Sequence, residues 1–445
     1  MFRWMQSITA KVLGIGVLAL LMMIPLNQAN GIVREREAMR QAAVERVAAG
    51  WGGPQTLGGF VLAAPVRTEV RDVQGHVASV RDSTHIVLAD ELTTTAGLAV
   101  QERTSGMYAV PVYTGEVTVR GRFLPEDIAH AAAGSDGVFD LARAELRLLV
   151  ADVHGLQSIT AATVDGRPVR LAASADKMGP YSVLAAPLPI DPARTTPIDV
   201  TLTLRIAGTE AFSTLPLARA TTVHLRSAWP DPSFIGALLP GQPGVTAKGF
   251  DTTWQVMDLN RSYGQHWDTA TTDVNSRLEA SSFGVRMVKP GSVYQQNDRA
   301  GKYGLLFIAL TFVAFFLFEV LKGLRLHPVQ YLLVGAAMAS FYLLLLALSE
   351  QIGFGGAYLA AAATVVSIVG GYASAVLRAR TAGLVLGGVL ALVYAILYGL
   401  IGAEQYALLI GSVVLVVVIA LLMFLTRRID WYAYGTPATR QTDTP

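Results

Sequence analysis

The sequence predicts a membrane protein in which an α-helical bundle of six transmembrane helices carries a large, mainly β domain of the β-sandwich type. Five apolar runs follow one another over residues 303–425, and each has about 20 residues, enough to cross a bilayer as a helix. A sixth apolar run lies near the N-terminus, at residues 12–26. Between these regions the apolar residues recur with a period of two, which indicates half-buried strands.

The C-terminal runs predict both helices and topology. The predicted helices cover residues 303–321, 329–348, 357–377, 382–401 and 406–425. The connections between them alternate in charge, and the basic set contains Lys322, Arg325, Arg378, Arg380, Arg427 and Arg428. The other set, residues 350–356 and 402–405, has no Lys or Arg. Because basic loops stay in the cytoplasm, we expect both termini there and residues 31–300 in the periplasm.

The N-terminal run is either a cleaved signal peptide or an anchor that stays in the membrane. It has a basic start, as signal peptides do, but no small-x-small cleavage site follows it. Counted from Ile8, with Lys11 extending its amine towards the interface, the run reaches about 19 residues. We therefore expect residues 1–30 to form a cytoplasmic tail and an uncleaved anchor helix.

A more polar helix is predicted next, over residues 32–49, and the glycines and proline of residues 50–54 end it. Its apolar residues fall on one face and include Met39, Ala43, Val44 and Val47. This juxtamembrane helix and linker, residues 31–54, is either a spacer packed on its own domain or an arm that binds a partner.

The β-rich region is predicted to cover residues 55–300, as one domain or two subdomains. Clear alternation occurs at residues 117–121, 144–150 and 198–206. Turn residues bound these runs, and many short strands at this spacing favour a β-sandwich. Residues 125–133 break into helix. The five-helix block is then residues 301–426, and the cytoplasmic tail is residues 427–445.

The sequence carries no signature of a catalytic or metal site. It has no cysteine, which excludes thiolate ligands and disulfide bonds, and its seven histidines are scattered without a pair at ligand spacing. Zinc-protease and serine-hydrolase motifs are absent. The net charge of +2 is spread along the chain, so we expect no nucleic-acid partner. We predict no catalytic residue, no cofactor and no metal, and a protein that is not an enzyme.

The predicted helices are poor in ionisable residues, which often mark ion or proton pathways. Glu319 lies one turn before Lys322, and we interpret the two as an interfacial pair. The uncharged polar residues near the helix centres are expected to bond to backbone; they include Thr311, Ser340, Tyr342, Thr364, Ser367 and Tyr394. Gly383 and Gly387 form a G-x-x-x-G pattern, which is typical of close helix packing. A charge-coupled transporter is therefore disfavoured.

Two segments have unusual composition for their position. A proline-rich loop supplies the candidate partner-binding residues Trp229, Pro230, Pro232, Ser233 and Phe234. The alternative is a rigid corner in which the two aromatic side chains fill the domain's own core. The second segment follows the last apolar run, and its candidate membrane-interface anchors are Arg427, Arg428, Trp431 and Tyr432.

These segments and the helices around them resemble the CreD family of bacterial inner-membrane proteins, also called cell envelope integrity proteins. The similar stretches include WPDPSFIG at 229–236, DRAGKYG at 298–304, ALTFVAFFLFE at 309–319, RLHPVQYLLVG at 325–335, FYLLLLALSE at 341–350 and LTRRIDWY at 425–432. The β region diverges, apart from VYTG at 112–115. The resemblance implies a regulon controlled by the CreBC two-component system and effects on envelope integrity, colicin tolerance and β-lactam response. It implies no catalytic residues.

We therefore expect a non-enzymatic protein that supports envelope integrity and the envelope stress response. Its expected partners are the lipid bilayer and an unknown envelope protein or envelope polymer. One alternative is a subunit of a transport system for lipidic or uncharged cargo. Another is a periplasmic hydrolase or transferase, which a clustered acid–base constellation in the folded domain would favour.

Overall fold

The computed structural model describes residues 8–72, 74, 76–135, 137–270, 274–287, 293–322, 326–376, 379–403 and 406–427. The chain divides into two compact units. The helical unit comprises Met1–Met39 and Gly291–Pro445, and the β unit comprises Arg40–Pro290. Each unit is described separately below.

The described residues form eight α-helices. In chain order these are α1 (Ile8–Leu21), α2 (Met23–Trp51), α3 (Pro125–Ala133), α4 (Asn275–Ala280), α5 (Val293–Lys322), α6 (Pro328–Val376), α7 (Arg380–Gly402) and α8 (Ala407–Thr426). Helix α3 lies where the sequence predicts it and begins with a proline, which needs no hydrogen-bond partner there. Helix α4 was not predicted.

Five stretches among the described residues are long and apolar enough to cross a membrane. They are Ala10–Trp51, Val293–Val320, Pro328–Val376, Arg380–Gly402 and Leu409–Thr426. The first runs through α1 and α2. Backbone hydrogen bonds continue across their junction, since Met22 N–H donates to Leu18 O (3.1 Å) and Leu26 N–H to Met22 O (3.3 Å). The predicted membrane anchor and juxtamembrane helix are therefore one nearly continuous helix.

Helix α6 differs from the prediction of two separate helices. Its 49 residues would extend about 73 Å at 1.5 Å per residue, more than twice the hydrocarbon thickness of a bilayer. Gly353 has φ 76° and ψ 163°, outside the helical region, so the helix is interrupted there. The predicted helices at 329–348 and 357–377 fall on either side of this interruption.

The β unit contains seventeen strands in its described ranges. They are β1 (Gln55–Arg71), β2 (Val77–Ser105), β3 (Tyr108–Phe123), β4 (Val138–Phe139), β5 (Glu145–Val150), β6 (Leu156–Val164), β7 (Arg167–Pro168), β8 (Ala172–Met178), β9 (Tyr181–Pro187), β10 (Ile198–Thr209), β11 (Ala211–Thr214), β12 (Ala218–Ser227), β13 (Ser233–Gly236), β14 (Gly244–Thr246), β15 (Gly249–Met257), β16 (His266–Asp268) and β17 (Phe283–Arg286). The prediction of a mainly β domain is confirmed.

The strands pair into two sheets that the long strand β2 connects. One sheet has the order β8-β9-β5-β1-β2-β16, with β11, β17 and β13 continuing from the start of β1. The other has the order β7-β6-β10-β3-β2-β12-β15-β14. The first half of β2 belongs to one sheet and the second half to the other.

Alternation along the strands builds the core between the sheets. In the β3–β10 pair, Val117 and Val119 are fully buried, as are Leu202 and Leu204 opposite them. Residues from both sheets, Leu62 and Leu202 among them, belong to the same hydrophobic cluster. This arrangement is typical of a β-sandwich, in which apolar residues alternate with polar ones along each strand.

The end of α2 packs on the β unit. Val44 is buried against Val110 and Val112 of β3, with Trp51 beside them. The Trp51 indole N–H donates to Tyr113 O (3.3 Å). The end of this helix therefore packs on its own domain, as the spacer alternative expects, and the partner-binding alternative stays a prediction.

Candidate functional site

The predicted partner-binding loop lies between β12 and β13, and local contacts hold its first residue. The half-buried Trp229 ring packs against the hydrophobic core. Its indole N–H donates to Asp231 O (2.9 Å), and its backbone N–H donates to Ser227 Oγ (3.3 Å). The indole N–H is thus already hydrogen-bonded within the loop. Any contact that Trp229 makes with a partner must therefore use the exposed surface of its ring.

The other aromatic residue of the loop has a structural contact. Phe234 lies in β13, which pairs with β17, and its ring meets Trp254 edge-on at 5.8 Å between centroids and Phe250 at 6.1 Å. Pro232 is half-buried, whereas Pro230 and Ser233 are exposed. The five predicted residues therefore divide into a packed corner, centred on Phe234, and an exposed apex at Pro230.

One of the predicted interface anchors, Arg427, lies at the end of α8. The Arg427 guanidinium lies over the Phe424 ring, 4.1 Å from its centroid, as expected for a cation–π contact. Arg428, Trp431 and Tyr432 lie outside the described residues.

A buried ionic cluster in the helical unit was not predicted. Glu319 of α5 is only 4% exposed, and its carboxylate forms an ion pair with the Lys11 amine of α1. The same carboxylate accepts hydrogen bonds from Leu326 N–H (2.8 Å) and from the Tyr331 hydroxyl (2.9 Å). A charge buried among apolar helices requires such compensation.

This cluster extends the sequence-based interpretation of Glu319. A pair with Lys322 was expected, but the Lys322 side chain lies outside the described part of the chain; the described partner is Lys11, 308 residues away along the chain. The available signal was a single basic residue at the start of the N-terminal apolar run and a single acidic residue within the run at 303–321. Antiparallel packing of two such helices places the two charges at the same level.

Small residues let the N-terminal helix lie close along α5. A Cβ atom at Gly304 would come within 2.7 Å of Leu26, and one at Gly301 would overlap Asn30. In each facing pair the two residue numbers add up to 330 or 331: Leu26 faces Gly304, Asn30 faces Gly301, and Lys11 faces Glu319. A constant sum means a constant antiparallel register from the ionic cluster to Asn30.

Polar contacts also hold the far end of this helix pair. Arg36 of α2 lies 3.7 Å from the Glu350 carboxylate, which also accepts a hydrogen bond from the Tyr294 hydroxyl (3.1 Å). Glu350 ends the first part of α6. The N-terminal helix is therefore tied to its neighbours by charge at both ends and by close packing between them.

Three of the six polar residues near the helix centres bond to backbone as expected, whereas the buried Tyr394 hydroxyl has no hydrogen-bond partner among the described residues. The hydroxyls of Thr311, Ser340 and Thr364 donate to carbonyls four residues earlier, at 2.8–2.9 Å. At the α6–α7 contact, a Cβ at Gly383 would overlap Ser374, and one at Gly387 would lie 3.7 Å from Gly370. The close packing predicted from the G-x-x-x-G pattern is confirmed.

Two histidines that are far apart in sequence meet in the β unit. His85 Nε2 and His266 Nδ1 lie 3.1 Å apart. The nearby Ser83 hydroxyl donates to Asp268 Oδ2 (2.7 Å) rather than to either histidine, so these residues do not form a Ser–His–Asp triad. The sequence spacing gave no sign of this pair, because the two histidines are 181 residues apart along the chain.

Comparison with known proteins agrees with the resemblance noted above. A family model described as "Inner membrane protein CreD" matches residues 7–432. Inner membrane protein CreD of Escherichia coli (strain K12) is 34% identical over 421 residues, which cover 94% of this chain and 92% of the relative. A solved structure, yeast LTA4 hydrolase in complex with Bestatin, aligns over 38% of this chain and 26% of its own at 12% identity, and its TM-score of 0.19 is too low to indicate a shared fold. The chain belongs to the CreD family of inner membrane proteins.

Proposed function

We propose that this inner membrane protein is not an enzyme, and that it supports envelope integrity and the envelope stress response by contacting another envelope component with its β domain. The contact is made by the loop that begins at Trp229. The observation that carries this proposal is the preorganised apex: Trp229 and Phe234 fix the backbone, while Pro230 between them is exposed. A rigid loop loses little conformational entropy on binding, which favours recognition.

The proposed orientation places the β domain in the periplasm and both termini in the cytoplasm. Its support is the basic character of one set of connections, together with the interruption at Gly353, which allows α6 to cross the membrane twice. With the N-terminal helix, α5, α7 and α8, this makes six crossings. The N-terminal helix stays attached because cleavage after it would leave Glu319 buried without Lys11.

The test of the partner contact is photocrosslinking in cells from a photoreactive amino acid at position 230. Position 230 is preferable to Trp229 or Phe234 because replacing Pro230 removes no core contact. The matched control is the same amino acid at Pro243, another exposed proline of the β unit. We expect one envelope component to be captured from position 230 and not from position 243.

A second variant separates recognition from folding. Trp229→Phe keeps an aromatic ring on the core but removes the N–H that donates to Asp231 O. We expect a folded protein whose crosslink from position 230 is weakened. Equal capture from positions 230 and 243, or no capture from a folded protein, would contradict the proposal.

The alternative of a transport subunit has less support. A subunit driven by a cytoplasmic ATPase needs a coupling helix on the cytoplasmic side. Only five residues separate α5 from α6, and three separate α6 from α7. These connections are too short for such a helix.

A further inference from the structure

The β unit has a surface cleft that is distinct from the loop beginning at Trp229. Its volume is about 600 Å³, within the range of about 300–1,000 Å³ that small-molecule sites span. The described residues that line it come from β1, β2 and β5, from the last residue of β9 and from the turn before β5. The cleft is large enough for a ligand of one or two six-membered rings.

Strand register explains why the lining side chains share one face of the sheet. Pro65 of β1 lies opposite Thr84 of β2, and the residue two positions before Pro65 lies opposite Glu145 of β5. Directly opposed residues of antiparallel strands project to the same side of a sheet. Residues two apart along a strand do so as well, which places Asp82 beside Thr84 and Arg147 beside Glu145.

The most buried residues of the cleft are apolar. Ala63 and Ala144 are each 1% exposed, and Pro65 is half-buried. The side chains of all three present only C–H groups. The base of the cleft therefore offers a nonpolar surface, and its polar groups stand around that surface.

One side of the cleft carries charged groups that are held in place. The Arg147 side chain is 13% exposed, and its Nε donates to Glu145 Oε2 (3.0 Å). The same guanidinium donates to Asp176 Oδ2 (2.8 Å). Because these contacts fix Arg147 and Glu145, the two side chains lose little conformational freedom when a ligand binds.

Two exposed charged groups complete the lining. Asp82 is exposed, and the Arg143 side chain is 77% exposed and lies 3.8 Å from the Asp140 carboxylate, too far for a hydrogen bond. The described lining residues thus carry two acidic and two basic side chains, so neither sign of charge predominates. A ligand with a net charge would face as many like charges as opposite ones, which favours an uncharged ligand.

We propose that this cleft binds an uncharged saccharide of one or two rings. A sugar hydroxyl can donate to a carboxylate and accept from a guanidinium, and neighbouring hydroxyls match the paired oxygens and nitrogens of these groups. Asp82 and Glu145 accept from the sugar, and Arg143 and Arg147 donate to it. The C–H face of the ring lies on the apolar base of the cleft.

The test is saccharide binding by the full-length protein in lipid nanodiscs, because many detergents carry sugar headgroups that would compete. Saturation-transfer difference NMR is recorded with maltose and with N,N′-diacetylchitobiose, both uncharged disaccharides. The matched control is chitobiose, the deacetylated form, which carries two amino groups, and trialanine tests for a peptide ligand. We expect saturable binding of at least one uncharged disaccharide and much weaker binding of chitobiose and trialanine.

Three variants locate the site. Asp82→Ala and Arg143→Ala each remove one exposed polar group, and each should weaken saccharide binding by more than about tenfold. Asp251→Ala changes an exposed aspartate of β15 outside the cleft and should leave binding unchanged. Absence of saturable binding of both disaccharides overturns the proposal. Undiminished binding by folded Asp82→Ala and Arg143→Ala overturns it as well, as does equally tight binding of trialanine.

Discussion

The two units bury ionisable side chains in opposite ways. In the helical unit, Glu319 is surrounded by an opposite charge and two hydrogen-bond donors. In the β unit, His85 is buried beside another histidine, and its lowered pKa favours the neutral form. A buried ionisable group is therefore tolerated either because its charge is balanced by a partner or because the group is uncharged. Each solution joins segments that are distant in sequence.

The largest expected effect comes from breaking the balanced pair. Lys11→Met leaves the Glu319 carboxylate buried without its cation, and removing one partner of a buried pair costs about 3–5 kcal/mol. We expect a loss of that size in the free energy of unfolding, measured by denaturant unfolding in detergent. In the double variant Lys11→Met/Glu319→Gln, the unpaired charge is gone and much of the loss should be recovered. Equal losses in the single and double variants would show that charge balance is not the role of Lys11.

Truncation of the loop's aromatic corner should have the next largest effect. Phe234→Ala removes a half-buried ring from its contacts with Trp254 and Phe250. We expect the free energy of unfolding to fall by about 2–3 kcal/mol, less than for a fully buried phenylalanine. Pro230→Ala, at the exposed apex, should change stability by less than about 0.5 kcal/mol. Thermal unfolding of the two variants compares corner and apex directly. Similar losses in both would mean that the apex is also structural.

Helix packing supplies a smaller effect that does not involve charge. Gly383→Ala places a methyl group against Ser374 and should cost about 1–3 kcal/mol through overpacking. Gly388→Ala is the matched control on the same helix, because a Cβ there meets no described atom within 4 Å. Unfolding in detergent should separate the two variants. A destabilised Gly388→Ala would instead indicate that α7 is sensitive to any alanine.

Neutral His85 should make stability depend weakly on pH. Burial lowers the pKa of His85 below 6.5, so the unfolded chain takes up a proton at a higher pH than the folded chain does. The stability contributed by neutral His85 is therefore fully present above pH 6.5 and falls as the pH drops below that value. The difference in unfolding midpoint between the natural chain and His85→Gln should shrink or reverse from pH 7.5 to pH 5. His130→Gln should follow the natural chain, and a constant difference would contradict the assignment.

The sequence predicted those features that leave a local signal. Apolar runs of bilayer length and period-two alternation are visible within about 20 residues, so the helices and the β domain could be predicted. The partner of Glu319 could not be predicted, because Lys11 is 308 residues away along the chain and Lys322 is a nearer cation in the sequence. The histidine pair, 181 residues apart, depends on β16, a three-residue strand too short for a periodic signal. In the loop, the composition identified Trp229 and Phe234 as unusual. It could not show that Phe234 forms the packed corner or that Pro230 forms the exposed apex.

The proposed topology has six crossings, with the β domain outside the cytoplasm and α6 crossing the membrane twice. The chain has no cysteine, so single cysteines can be labelled with a membrane-impermeant maleimide in spheroplasts. Suitable exposed sites are Ser79 in the β unit, Gln351 beside the interruption of α6, and Thr381 at the start of α7. We predict that Ser79→Cys and Gln351→Cys are labelled in intact spheroplasts, and Thr381→Cys only after lysis. Labelling of Thr381→Cys in intact spheroplasts, with Gln351→Cys protected, would contradict the account.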